Sequence, residues 1–187
     1  MYGAFASVYD ALMDTVDYAA WAAYYKTLME KCRVPAKGRV VECACGTGSL
    51  TLPLRRMGYQ MTGADASEEM LAAAMEKART AGVMIPFVRQ DMRQLTVPRR
   101  VDCVLATCDG VNYLTSPEDV RAFFAAAFAA LKPGGALIFD ARLTLLLSFR
   151  HHQLSQRAQA MAPLPFMTMV ASQHHRSPDL VSVRWSS

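Results

Sequence analysis

Four carboxylates in this 187-residue chain each close a short apolar run: Glu42 after RVV, Asp65 after MTGA, Asp91 after FVRQ and Asp109 after VLATC. Straight after the first comes the turn Cys45-Gly46-Thr47-Gly48. Carboxylates accept hydrogen bonds from hydroxyl and amino groups. Glycines beside them let the backbone approach a ligand closely, with helix N–H groups facing it. The chemistry these residues suit is recognition of a ligand. The Gly-x-Gly-x-x-Gly fingerprint for a pyrophosphate fits badly, since aligning it on Gly46 puts Ala44 and Ser49 where glycines belong. No Gly-Lys-Ser/Thr follows, so a phosphate-binding Walker loop is excluded.

Short strands alternating with helices must position these acids. Residues 5–31 place apolar and aromatic side chains at helical spacing and predict one or two helices. Arg39–Cys43 predicts the first strand, and a helix follows from about Gly48 to Met57, with Pro53 an awkward interior member. YQMTGAD is a second strand, and Ser67 caps a helix that opens on Glu68 and Glu69 and stops near Gly82. MIPFVRQ and VDCVLAT are strands three and four. Ser116-Pro117-Glu118-Asp119 starts a helix whose apolar face is Val120, Phe124, Ala127 and Leu131. Lys132-Pro133-Gly134-Gly135 then leads into a fifth strand, ALIFD. The alternation predicts an α/β fold, a doubly wound and mostly parallel sheet. Ligands of such sheets lie beyond the carboxyl ends of the strands, where the four acids stand.

Composition narrows the class. At 52% hydrophobic and 19% charged residues the chain reads as globular. No apolar run nears the ~20 residues of a membrane span, and no signal peptide opens the sequence, so the expected location is the cytoplasm. Five scattered cysteines suit a reducing compartment. The net charge of +4 belongs to the tail, where residues 142–187 hold five arginines against Asp179 alone, so no nucleic-acid partner is expected.

The segment VVECACGTGSL resembles motif I of the class I S-adenosylmethionine-dependent methyltransferases, with Glu42 at the acid position and Ala44 where the first glycine is usual. GADASEEML, VRQDMRQL, DCVLATCDGVNYL and LKPGGALIFD resemble the family's later motifs in order, up to about Asp140. The resemblance implies a Rossmann-like core with S-adenosylmethionine as cofactor and a small-molecule methyl acceptor as partner. It implies cofactor contacts at Tyr9, Glu42, Ala44, Gly46, Gly48, Asp65, Ala66, Asp91, Met92 and Cys108. Asp65 would hold the two ribose hydroxyls, a vicinal diol that one carboxylate can accept from twice. Asp91 would accept from the adenine amino group, and the Met92 backbone would meet a ring nitrogen. Ala44 in place of glycine would take some room from the cofactor. Residues 1–38 resemble the helical cap of small-molecule members, 39–141 the cofactor-binding core, and 142–187 part of a substrate-side segment of the same domain.

Plainer readings stand beside these. Glu42 suits a strand-end acid that is solvated or paired with an arginine, Asp65 a helix-capping acid before Ser67, and Asp91 an ordinary loop. Asp109 and Asn112 could simply shape the turn before Tyr113. Cys43 and Cys45 read as packing residues and His151-His152 and His174-His175 as solvated loops, so no metal is expected. No catalytic residue is nominated; Asp109 and Tyr113 are candidates for a general base by position only. PFMTMVASQHH and LVSVRWSS predict an antiparallel C-terminal hairpin, after which the closing strands of the family are missing. That predicts a bare edge on the fifth strand, weak cofactor binding and self-association. It also raises an alternative, a catalytically incomplete cofactor-binding remnant or a fragment of a longer methyltransferase. Neither the acceptor nor an oligomeric state follows from the sequence.

Overall fold

The computed structural model describes Asp10, Met13, residues 16–141, Met167–Ser172 and Val181–Val183. The elements run α1 (Tyr18–Lys31), β1 (Arg39–Cys43), α2 (Thr51–Arg56), β2 (Gln60–Asp65), α3 (Glu68–Thr80), β3 (Phe87–Arg89), β4 (Val101–Ala106), α4 (Pro117–Ala130), β5 (Leu131–Ala141), β6 (Met167–Ser172) and β7 (Val181–Val183). Single 3₁₀ turns occupy Met92–Gln94 and Gly110–Tyr113. The sheet order is β3-β2-β1-β4-β5-β6-β7, with β1 to β5 parallel and β6 and β7 antiparallel. Tyr9 and all four histidines lie outside the described residues.

The central strands are apolar on both faces because helices cover both. Val41, Val104 and Leu137 pack into one core cluster with Phe123 and Ala127 of α4. Their neighbours Val40, Cys103 and Ile138 pack into the other, with Tyr25 and Met29 of α1 and Leu54 of α2. Period-two alternation therefore sorts one strand between two cores. Helix α4 starts where its sequence says it should: Ser116 Oγ accepts from the Asp119 N–H at 3.0 Å, and Pro117 holds the first position. Its buried face is Val120, Phe123, Ala127 and Ala130, so Phe123 and not Phe124 points inward. Spacings of three and four select that stripe, and Phe124 packs beside it against Phe139.

Three expectations change. Helix α2 has only six residues, because the glycine turn runs on to Leu50 and places Pro53 in the first helical turn, where it displaces no bond. Lys132-Pro133-Gly134-Gly135 is no break before β5 but a bulge inside it: Val101 pairs with Leu131, and the next partner of β4 is Ala136, opposite Cys103. The expected bare edge on β5 is absent. Strand β6 pairs with β5 over Ala136–Ala141, and β7 pairs with β6, so the predicted hairpin extends the main sheet. Helical spacing and turn residues report local structure, whereas strand pairing is decided by which edges remain open.

Candidate functional site

The reversal of strand order between β1 and β4 opens a crevice at their carboxyl ends. The turn that leaves β1 is left-handed at Ala44 (φ 51°), Gly46 (φ 53°) and Gly48 (φ 72°). The two glycines serve different ends. A Cβ on Gly46 would meet no atom within 4 Å, so its backbone faces open space. A Cβ on Gly48 would stand 3.2 Å from Ala74 of α3 and 3.2 Å from the Phe87 ring, so this glycine lets helix and strand close on the turn. At Ala44 the difference from glycine also falls on the backbone, since a left-handed L-residue costs roughly 1–2 kcal/mol.

Asp65 ties that turn to α3. Its Oδ2 accepts from the Gly46 N–H at 2.8 Å and its Oδ1 from the Ser67 N–H at 2.9 Å. One acceptor site on each oxygen is thereby used, and each oxygen has a second. Glu42 is 2% exposed and accepts from Thr51 Oγ1 at 2.5 Å and Thr107 Oγ1 at 3.3 Å. Burial pushes its carboxyl up to about 7, against the pull of those two hydroxyls, with Asp65 and Asp140 adding repulsion. Among the described residues no arginine pairs with Glu42; two threonines hydrogen-bond to it. Asp91 is held by Arg93, whose Nε lies 3.0 Å from both carboxylate oxygens and whose guanidinium also reaches Asp119 at 2.7 Å. This fork holds the Asp91 carboxyl below its ordinary value. Burial pushes the Cys43 thiol up to about 12 and that of Cys45 higher still, which suits packing.

A cleft of about 540 Å³ gathers these groups. Of the ten residues expected at a cofactor, Glu42, Ala44, Gly46, Asp65, Ala66, Asp91, Met92 and Cys108 line it. Gly48 does not, for the packing reason above, and Tyr9 lies outside the described residues. Tyr113 lines the cleft at 78% exposure, while Asp109 is not part of the lining and accepts from the Asn112 side chain. Sequence reasoning missed Tyr18, Met70, Arg93 and Asp119, which also line it. Arg93 had a signal, two residues from an acid at a strand end; Tyr18 and Met70 had none beyond helical spacing. A larger groove of about 1240 Å³ runs along α3 past Glu69, Ala73 and Glu76, but neither the glycine turn nor a strand-end carboxylate reaches it.

Beside the cleft, Asp10 accepts from Thr47 Oγ1 at 2.6 Å and pairs with Lys77 at 2.9 Å. The lysine also donates to Ser49 Oγ at 2.7 Å, so the glycine turn, α3 and the residue after Tyr9 share one polar cluster.

A family model described as a methyltransferase domain matches residues 40–135. The chain belongs to that family. Its YqeM relative from Bacillus subtilis (strain 168) is 40% identical over 141 residues, 75% of this chain and 55% of that protein. The glycine/sarcosine N-methyltransferase of Halorhodospira halochloris is 34% identical over 106 residues, 56% of this chain and 40% of that enzyme. An S-adenosylmethionine-dependent methyltransferase of known structure from Clostridium acetobutylicum ATCC 824 aligns with 97% of this chain and 77% of its own, at a TM-score of 0.68 and 25% identity. The sheet and its helices are thus a Rossmann-like methyltransferase fold. The chain spans little more than half the length of the first of these curated relatives. Within this methyltransferase domain the matched segment runs from β1 into the β5 bulge and takes in the glycine turn, Asp65, Asp91 and the loop after β4. Helix α1 and Asp140 fall outside it.

Proposed function

We propose that this chain binds S-adenosylmethionine in the cleft and transfers its methyl group to a small-molecule acceptor. The observation that carries the reading is the convergence of Asp65 and the open backbone of Gly46 at the strand-order switch. The residues present fit the group. Asp65 has one acceptor site left on each oxygen, the number a vicinal diol needs. Asp91, oriented by Arg93, and the Met92 backbone would take the base. The Ala44–Gly46 backbone would lie along the nucleoside, and Glu42, Cys108 and Gly110 would enclose the methionine end. The bound cofactor supplies an electrophilic methyl on a sulfonium, with a neutral thioether as leaving group. What the chain must add is alignment and exclusion of water, so proximity carries the acceleration. Alignment and exclusion of water require no base in themselves, and whether one is used depends on the protonation state in which the acceptor binds.

The small-molecule acceptor is supported by the glycine/sarcosine enzyme among the relatives. Balanced charge over residues 1–141 argues against a nucleic-acid partner. Among the described residues no helix is long and apolar enough to cross a membrane; we place the protein in the cytoplasm. Calorimetry with S-adenosylmethionine, S-adenosylhomocysteine and NAD tests the cofactor. Binding of both sulfur nucleosides without NAD is expected. Heat with NAD and none with either sulfur nucleoside would end the reading. Turnover of labelled methyl groups across a panel of amines, phenols and acids separates an enzyme from a cofactor-binding module.

A further inference from the structure

The loop after β4 contains a strained run that no glycine relieves. Cys108 (φ 54°) and Asp109 (φ 66°) are both left-handed, a conformation that non-glycine residues keep only where their surroundings impose it. Both of their N–H groups point at one acceptor. Cys108 donates to Asp140 Oδ2 at 3.0 Å and Asp109 to Asp140 Oδ1 at 3.2 Å. Successive amides converging on an anion form a nest. Here the anion is a side chain of the same protein, 3% exposed near the end of β5. Tyr25 of α1 donates to the same carboxylate, at 3.3 Å.

The run also forms part of the cleft. Cys108 and Gly110 line it, and a Cβ on Gly110 would come within 3.0 Å of the Ala44 Cβ, so the β4 loop closes against the glycine turn. Asp140 itself is not part of the lining. We infer that Asp140 is a positioning residue: its carboxylate holds Cys108 and Asp109 in the left-handed path that, with Gly110 after it, forms the methionine-side wall of the cleft. This rests on the cofactor reading above. Burial pushes the Asp140 carboxyl up to about 6, while the amides of Asp109 and Cys108 and the Tyr25 hydroxyl pull it down. The titratable groups around it are Tyr25 from α1, Cys108 and Asp109 from the loop, and Glu42 from β1. Once protonated, the carboxyl keeps less acceptor capacity for two facing N–H groups.

A double-mutant cycle on S-adenosylhomocysteine affinity tests the inference. Asp140→Asn turns one acceptor into a donor facing an N–H and is expected to weaken binding tenfold or more. Glycine takes left-handed backbone freely, so in an Asp109→Gly background the same substitution is expected to weaken binding at least threefold less. Equal penalties in the two backgrounds, or Asp140→Asn binding as wild type does, would overturn it. A second measurement needs no variant. The amide shifts of Cys108 and Asp109 in the wild-type chain should titrate together near pH 6, with affinity falling along the same curve; flat shifts between pH 8 and 5 would overturn it as well. Failure of the wild-type chain to bind S-adenosylhomocysteine at all sinks the cofactor reading and this inference with it. Binding by the wild type with an uncoupled cycle sinks the inference alone.

Discussion

The two walls of the cleft meet one requirement with different residues. On the β1–β2 side the left-handed turn includes Gly46 and Gly48, and Asp65 accepts from an amide of that turn. On the β4–β5 side the left-handed residues are Cys108 and Asp109, and Asp140 accepts from both. Two of the three left-handed residues of the first wall are glycines, which visit that region without steric cost. Asp65 accepts from only one amide of the turn, which leaves it acceptor sites for a ligand. The second wall is built from residues that resist the conformation, and its carboxylate is enclosed in holding them. One acid is placed to bind and the other to hold. Glu42 lies between the two and is repelled by both.

The largest expected effect separates the binding acid from the loop acid. Asp65→Ala should weaken S-adenosylhomocysteine binding by tenfold to a hundredfold and far more than Asp109→Ala, because each hydrogen bond to a charged acceptor contributes about 1.5–3 kcal/mol. Equal affinities of Asp65→Ala and wild type, in a folded variant, would erase the contrast between the walls. Next in size is the pH dependence of stability. Glu42 is raised from 4.5 to about 7 and Asp140 from 3.8 to about 6, so the folded state holds protons more tightly than the unfolded one. Their stabilisation is therefore present below pH 4 and is lost as the pH rises through 6 and 7. For Glu42 alone this is on the order of 3 kcal/mol. Tm should be several degrees higher at pH 5 than at pH 8, and Glu42→Gln should flatten that slope. The arginine-paired acids Asp91 and Asp119 act in the opposite sense, only as the pH falls through values below 3.8. The smallest effect sharpens the backbone argument: Ala44→Gly should stabilise the fold by about 1 kcal/mol, roughly 2–4 °C in Tm.

The glycine wall was legible in the sequence and the strained wall was not. A Gly-Thr-Gly turn between an apolar strand and a helix has few structural meanings, and Asp65 follows from its place at the end of the next strand. Asp140 ends ALIFD as Glu42 ends RVVE, so its place at a strand end was visible. Its partners were not, because a nest depends on dihedral angles that Cys108 and Asp109 do not announce. Arg93 escaped for a related reason: its hold on Asp91 is local, but its reach to Asp119 spans 26 residues. Strand existence was readable from β-branched runs, while the bulge at 132–135 and the pairing of β6 on β5 depend on register and open edges. The same holds for Phe123 and Phe124, adjacent and alike in type, of which only one can face the core.

The measurement closest to the central claim compares S-adenosylhomocysteine with its 2′,3′-dideoxy analogue on the wild type and on Asp65→Ala, by calorimetry at one pH. If Asp65 holds the ribose diol, the substitution weakens the natural nucleoside at least tenfold more than it weakens the dideoxy analogue. An equal loss for both ligands would contradict the account, because Asp65 would then act only by holding the glycine turn to α3.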